Sequence, residues 1–214
     1  MIKVNPDRHA LFLLLSLLSY ILLLPILEGD RTGELVLTFS MGVILVAAVM
    51  ELSAKRIVGW PAIVFAAVLM ALHVTLNFRP SHSLVIATSL LLIIFFTLAS
   101  VGLFSYLGEP GKGSGRLYAS ASLYLLIAFL WFAIYRLLDA IHPGSIQHMG
   151  AAIGRLPIGQ LLYFSLATLT TLGSNDMLPV TPTARMVAVL ESATGVLYLA
   201  ITVARLVNDT QEKS

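Results

Sequence analysis

Six long apolar runs, separated by short polar connections, dominate the pattern of the chain. They cover residues 10–27, 35–50, 57–76, 84–107, 117–138 and 186–207. A helix needs roughly 20 apolar residues to cross a bilayer, so each run is long enough, or nearly so, to span one. The pattern therefore predicts an all-α membrane protein with six transmembrane helices.

A seventh apolar stretch, residues 157–170, lies between the fifth and sixth runs and is too short to cross. It has 14 residues and then passes into the hydroxyl-rich, glycine-containing turn 171–175. Non-helical backbone at membrane depth is tolerated only where it is buried in protein or lines a water-filled path. We therefore predict a re-entrant helix followed by a turn that lines such a path.

Composition places the whole chain in a membrane. Of its 214 residues, 58% are hydrophobic and 11% are charged, and the mean hydropathy is +0.92. A soluble domain carries about twice that charge. The absence of cysteine excludes disulfides and thiolate metal sites, and no basic cluster suggests nucleic acid. No motif of an enzyme or of a cofactor site is present, so the expected partners are the lipid bilayer and other copies of the chain.

The distribution of basic residues predicts the orientation. Six crossings place both termini on one side, which would hold eight of the 13 Lys and Arg residues. Because positive charge favours the cytoplasmic side, both termini are expected there, in the plasma (cell inner) membrane, with the turn facing outward. Lys3 and Arg8 precede the first run, but no small-x-small cleavage site follows it, so we expect no removable signal peptide.

The turn has the chemistry of a cation pathway. Backbone carbonyls around an axis can replace the water shell of a monovalent cation without adding net charge. Successive carbonyls face one axis only if the backbone alternates in handedness, which favours Gly or Asn at alternate positions. Gly173 and Asn175 stand at alternate positions, and Thr171 adds a hydroxyl. The C-terminal end of the re-entrant helix favours a cation there.

The string TLTTLGSND, residues 168–176, resembles the pore loop of potassium channels, which typically reads TVGYG followed by Asp. Residues 168–173 and Asp176 match in place. Gly195, 22 residues after Gly173, stands where that family has an inner-helix hinge. The resemblance covers about 117–207. The resemblance implies a selectivity filter formed by Thr171, Leu172, Gly173, Ser174 and Asn175. Oxygens of this filter, mainly from the backbone, would hold a permeant cation, K⁺ foremost. Thr170 is among the residues expected to support the filter.

Two filter positions depart from that family. Ser174 replaces an aromatic residue that braces the filter, and Asn175 replaces a second glycine. Both changes are expected to weaken the preference for potassium over sodium. The family pattern also implies that Asp176 bonds an aromatic residue of the pore helix, and the Tyr163 hydroxyl could serve; a solvent-facing Asp176 is an equal alternative.

The sixth run carries an intramembrane carboxylate, Glu191, one helical turn before Gly195. We expect it to pack behind the pore helix, and a hydrogen bond to a hydroxyl such as that of Ser165 is the favoured interpretation. The adjacent face of the same helix is expected to line the cavity; its members are Ser192, Val196, Leu199 and Val203.

The first half of the chain offers little chemistry. The fourth run contains no Lys or Arg, which argues against an arginine voltage sensor. His73 in the third run is interpreted as a core contact. His142 and His148, in the loop before the re-entrant helix, could sense pH or bind metal, although solvated loop histidines are the commoner case. We predict a four-helix peripheral domain at 1–112 and a pore domain at 113–214.

One pore loop per chain predicts a homotetramer, because a carbonyl ring needs about four loops. The expected function is passive cation flow, with potassium the leading ion. Three alternatives stay open: a weakly selective cation channel, a non-conducting subunit that assembles through the pore module, and a secondary transporter. The last usually has paired broken segments in two related halves, and the sequence has one.

Overall fold

The computed structural model describes residues 6–53, 60–79, 81–108, 115–149 and 156–211. These residues form seven helices and two short strands: α1 (Pro6–Leu27), α2 (Arg31–Ser53), α3 (Trp60–Phe78), α4 (His82–Gly108), α5 (Gly115–Ile141), β1 (Ile146–His148), α6 (Ile158–Leu169), β2 (Met177–Pro179) and α7 (Pro182–Gln211). Six of the helices are long and apolar enough to cross a membrane, and α6 is a shorter apolar helix. The prediction of an all-α, six-span membrane protein is confirmed.

Helix α7 begins four residues before the apolar run that predicted it. The Thr181 hydroxyl accepts a hydrogen bond from the Ala184 N–H at 3.2 Å, and Pro182 takes the first helical position. Thr is a good N-cap, and proline fits the first turn because its missing N–H is not needed there. The polar start of this helix was therefore invisible to an analysis of hydrophobic length alone.

The chain divides into two compact units, Met1–Leu137 and Leu138–Ser214, with the division inside α5. The domain boundary that we predicted between residues 112 and 113 lies outside the described residues. Most of α5 thus belongs to the first unit, together with α1 to α4. The second unit contains the end of α5, both strands, α6 and α7.

A row of aromatic side chains forms the centre of the first unit. Phe65 of α3 stacks on Phe95 of α4 with ring centroids 6.3 Å apart. Phe96 lies 5.7 Å from Phe129 of α5, which meets Tyr20 of α1 edge-on at 5.6 Å. Because lipid is as apolar as these side chains, close packing and interhelical hydrogen bonds, more than the hydrophobic effect, hold membrane helices together.

Polar contacts and buried ionisable residues also lie among the helices of the first unit. The Ser122 hydroxyl of α5 donates to the Ala10 carbonyl of α1 at 3.1 Å. Asn77 of α3 donates to the Thr38 hydroxyl of α2 at 2.7 Å. His73 is buried, as its interpretation as a core contact requires, and so is Arg136 within α5.

The two strands of the second unit form an antiparallel sheet that the sequence did not predict. Ile146 pairs with Pro179, Gln147 with Leu178, and His148 with Met177. Backbone bonds extend the pairing at both ends, from the Met149 N–H to the Asp176 carbonyl at 2.7 Å and from the Val180 N–H to the Ser145 carbonyl at 2.8 Å. The loop before α6 is thereby tied to the segment that follows the turn.

Candidate functional site

The site is the turn at the C-terminal end of α6. The helix has 12 residues, and seven of them are buried. At its end the Thr171 N–H donates to the Thr168 carbonyl at 3.0 Å, and the Gly173 N–H reaches back to the Ala167 carbonyl at 3.1 Å. These bonds cap carbonyls that the helix leaves without an internal partner, and they fold the backbone tightly.

The turn alternates in backbone handedness, but at only one of the two positions that we expected. Thr171 has φ +58° and Gly173 has φ +72°, whereas Leu172 between them does not take a positive φ. The expectation that Asn175 is left-handed is wrong. Because the Asp176 carbonyl accepts from Met149 and β2 begins at Met177, the chain is already drawn toward the sheet at that point.

The left-handed conformation of Thr171 is costly. It is the one non-glycine residue with positive φ in the described part of the chain. A β-branched residue in this region is a true outlier, since a left-handed L-residue loses roughly 1–2 kcal/mol. Such strain is typical of functional sites, where the surrounding structure maintains it. Here the left-handed Thr171, together with Gly173, gives the turn its alternation of handedness, which Gly173 alone would not supply.

The turn is open to its surroundings in the single chain. Residues 170–173 and Asn175 are exposed, and the apolar Leu172 is 75% exposed. A Cβ added at Gly173 would meet nothing within 4 Å. Leu172 thus places an apolar side chain on the exposed surface of the turn, three residues after α6 ends.

Ser174 has a partner of its own within the turn. Its hydroxyl donates to the Met177 carbonyl at 2.9 Å. This short-range bond fixes the segment between Gly173 and β2. The position expected to lack a brace therefore contains a hydrogen bond in place of an aromatic contact.

Asp176 does not bond Tyr163. The Tyr163 side chain is 44% exposed, and the Asp176 carboxylate lies 3.5 Å from the Nε2 atom of His148. The sheet explains the change of partner, since its register places His148 opposite Met177, next to Asp176. The expected aromatic partner is thus replaced by a histidine from the loop before α6.

Three contacts join the end of α6 to α7, and we call them the α6–α7 seam. The Ser165 hydroxyl donates to the Glu191 carboxylate at 2.6 Å, and both side chains are fully buried. The Ser192 hydroxyl donates to the Thr168 carbonyl at 3.1 Å. The third contact brings Gly195 against Leu169. The seam contains the hydrogen bond between Ser165 and Glu191 that the sequence suggested.

Gly195 lies at a close approach of two backbones. A Cβ built there would overlap the Leu169 carbonyl oxygen and lie 3.2 Å from Leu169 Cδ1. Helix α7 runs continuously through this position. The structure therefore gives Gly195 a packing role that spacing alone did not reveal; its predicted hinge role stays a prediction.

The face of α7 predicted to line a cavity is mostly open. Val196 is 53% exposed and Leu199 is 50% exposed. Ser192 differs, because its hydroxyl is bonded to α6. The side chain of Val203 lies outside the described residues.

Asp139 is a supporting residue that the sequence did not reveal. It is 1% exposed near the end of α5, and its carboxylate accepts from the Leu156 N–H at 3.2 Å. This bond fixes the chain just before α6 begins. No local motif connects the two residues, since 17 positions separate them.

Replacing Glu191 by leucine should lower the free energy of unfolding by about 1–3 kcal/mol, because the buried Ser165 hydroxyl loses this acceptor. Glu191→Gln should cost less, since the amide oxygen can still accept. Thermal unfolding of the detergent-purified protein measures both. Glu34→Leu, at an exposed carboxylate in the first turn of α2, is the control. An equal loss of stability in all three variants would contradict the stabilising role of the α6–α7 seam.

Comparison with known proteins gives this geometry a family context. Residues 121–212 match the model of the family described as Ion channel (Ion_trans_2). The match begins inside α5 and includes α6, the turn, both strands and α7. The chain is similar to ion channels over this segment.

Curated relatives agree with the ion-channel match. The chain is similar to potassium voltage-gated channel subfamily A member 10 of Mus musculus and of Homo sapiens, at 30% identity over 103 residues in each case. The similarity covers 48% of this chain and 19% of each relative. No solved structure matches the chain. Together these similarities indicate a multi-pass membrane transport protein rather than an enzyme.

Proposed function

We propose that the chain assembles as a homotetramer that conducts cations passively, potassium foremost, with each subunit lending residues 171–175 to a shared filter. The observation that carries the proposal is the alternation of handedness at Thr171 and Gly173 in an exposed turn. Such alternation turns successive carbonyls toward one side, where four copies would surround an ion with oxygens. The membrane would be the plasma (cell inner) membrane, with both termini cytoplasmic.

The proposed tetramer follows from the number of filter turns that each chain supplies. One chain supplies a single turn, whereas a ring of carbonyls needs about four, and closed rotational symmetry is the usual way in which copies assemble. The exposure of Leu172 and of the α7 face at Val196 fits surfaces that other subunits would cover or that an aqueous cavity would reach.

A weakly selective cation channel is the second candidate, and one observation favours it. Alternation ends at Gly173, since neither Ser174 nor Asn175 has a positive φ. A filter with fewer aligned carbonyls has fewer oxygens with which to replace the hydration shell. In that case sodium would pass almost as readily as potassium.

Reconstitution into liposomes separates these functions. Purified protein should carry current, and reversal potentials under bi-ionic potassium and sodium conditions should show a preference for potassium. Equal permeability would assign the weakly selective channel. A complete lack of flux, relative to protein-free liposomes, would overturn conduction and leave a silent subunit.

The hydrogen bond of Ser174 makes a specific prediction about ion preference. Ser174→Ala removes the bond to the Met177 carbonyl, so the segment after Gly173 should adapt more easily to a smaller ion. We expect the potassium-to-sodium permeability ratio to fall by up to about tenfold, which corresponds to about 1.4 kcal/mol. The double change Ser174→Tyr with Asn175→Gly should raise it.

Ser105→Ala is the matched control for Ser174→Ala. The Ser105 hydroxyl also donates to a backbone carbonyl, that of Val101, but in the exposed surface of α4. The ratio should be unchanged in this variant. An unchanged ratio in Ser174→Ala as well would show that the hydroxyl does not brace the filter.

A further inference from the structure

We propose that His148 and Asp176 form a binding site for a zinc-type divalent cation on the β1–β2 sheet, beside the candidate filter. The His148 Nε2 atom lies 3.5 Å from an Asp176 carboxylate oxygen. Zinc binds imidazole nitrogen at about 2.0–2.1 Å and carboxylate oxygen at about 2.0–2.2 Å. Two such ligands at a tetrahedral angle stand about 3.4 Å apart, close to the observed separation.

The second ring nitrogen of His148 supports the same assignment. Its Nδ1 atom lies 3.1 Å from the Met149 carbonyl oxygen. A carbonyl can only accept, so this contact favours the tautomer with the hydrogen on Nδ1. In the neutral ring Nε2 then carries the lone pair that a metal could take, whereas in the charged ring Nε2–H forms an ion pair with the carboxylate. A histidine that ligates metal almost always donates its other N–H to a carbonyl or a carboxylate in this way.

A positive charge between Nε2 and the carboxylate, either a proton on Nε2 or a bound cation, holds the two groups together. The sheet prevents them from moving apart freely, because His148 pairs with Met177 and the Met149 N–H bonds the Asp176 carbonyl. A bound divalent cation would take the place of that proton and connect the two strands. The backbone therefore holds two ligands at a spacing that suits zinc before any metal arrives.

Exposure leaves the site accessible. The side chains of His148 and Asp176 are 32% and 49% exposed, so water can reach both and complete the coordination. Among the residues that the structure describes, no group of three or more His, Cys, Asp or Glu side chains is suited to a metal. With two protein ligands, the site should bind zinc reversibly and should not be a permanent structural centre.

Zinc at this site would act on the filter region. Asp176 follows Gly173 by three residues, and His148 belongs to the loop before α6. The metal would therefore stiffen the connection between that loop and the turn. This consequence for conduction rests on the proposed function, whereas binding itself does not.

The test measures zinc binding and ion flux separately. Isothermal titration of the purified full chain with Zn²⁺ at fixed pH should give one site per chain. His148→Ala and Asp176→Asn should each weaken binding by about tenfold or more. His142→Ala, at an exposed histidine of the same loop, is the matched control and should bind as the native chain does. Equal binding in all four proteins would overturn the site.

Flux measurements distinguish the two proposals. Zinc added on the side that the turn faces should change flux through the native protein and not through His148→Ala. Zinc binding that requires both residues, in a protein that carries no flux, would retain the site and overturn conduction. Flux that persists in a protein without zinc binding would retain conduction and overturn the site. Melting temperatures of the metal-free variants show whether each one is folded.

Discussion

Replacing Gly195 by alanine should destabilise the protein and disturb conduction together. The new methyl group would overlap the Leu169 carbonyl oxygen, so α7 and the end of α6 must separate. Forcing additional volume into a packed site costs typically about 1–3 kcal/mol. Since Leu169 directly precedes the turn, the shift should also lower flux or alter ion preference. Thermal unfolding and bi-ionic reversal potentials measure the two effects.

If Gly195 acted only as a hinge and were not tightly packed, Gly195→Ala would raise the stability of the protein. Alanine is the better helix former by about 1 kcal/mol, so a Gly195→Ala helix freed from contact would be stabilised. A rise in melting temperature, with only the opening of the channel changed, would therefore contradict the packing role.

Two other glycines serve as controls for Gly195→Ala. A Cβ at Gly33 would overlap the Leu27 carbonyl oxygen in the first unit, so Gly33→Ala should lower stability while ion preference stays native. A Cβ at Gly42 would meet only the flexible end of Met70, at 3.0 Å, and should cost little.

Replacing Gly173 by alanine should abolish ion flux while the protein remains folded and assembled. Its φ of +72° makes a side chain unfavourable by roughly 1–2 kcal/mol, but a Cβ meets nothing within 4 Å in the single chain. The loss should therefore arise where four copies meet around an ion. Flux assays together with light scattering of the purified complex separate conduction from assembly.

Gly29 offers a close match for this substitution. It has φ +102° and also leaves space for a Cβ, but it lies between α1 and α2. Gly29→Ala should strain the backbone at least as much and leave flux intact. Normal flux through Gly173→Ala would contradict the carbonyl ring itself.

The helices could be predicted from the sequence because their signal is local. Apolar runs of membrane-spanning length fix their number, and a short apolar run before a hydroxyl-rich turn fixes α6. The bond between Ser165 and Glu191 was also foreseeable, since a carboxylate within a membrane-spanning run needs a hydrogen-bond partner such as a hydroxyl.

Contacts between distant segments could not be predicted in this way. Each strand of the sheet has three residues, too few to show an alternating pattern, and the pairing exists only because the chain returns on itself. Because of that pairing, the Asp176 carboxylate lies beside His148, whereas the sequence suggested Tyr163 as its partner. Handedness was misassigned for a related reason, because backbone bonds at the end of α6 impose positive φ on Thr171, a residue type that rarely takes it.

The position of α5 bears on whether the channel segment could work alone. Its residues Ser122 and Phe129 contact Ala10 and Tyr20 of α1, so the first helix of the segment that matches the ion-channel family packs against the first helix of the chain. A fragment that begins at α5 would keep residues 171–175 and lose the contacts that α5 makes with α1 and α4. Helices α1 and α4 are therefore packing partners of α5, with which the matched segment begins.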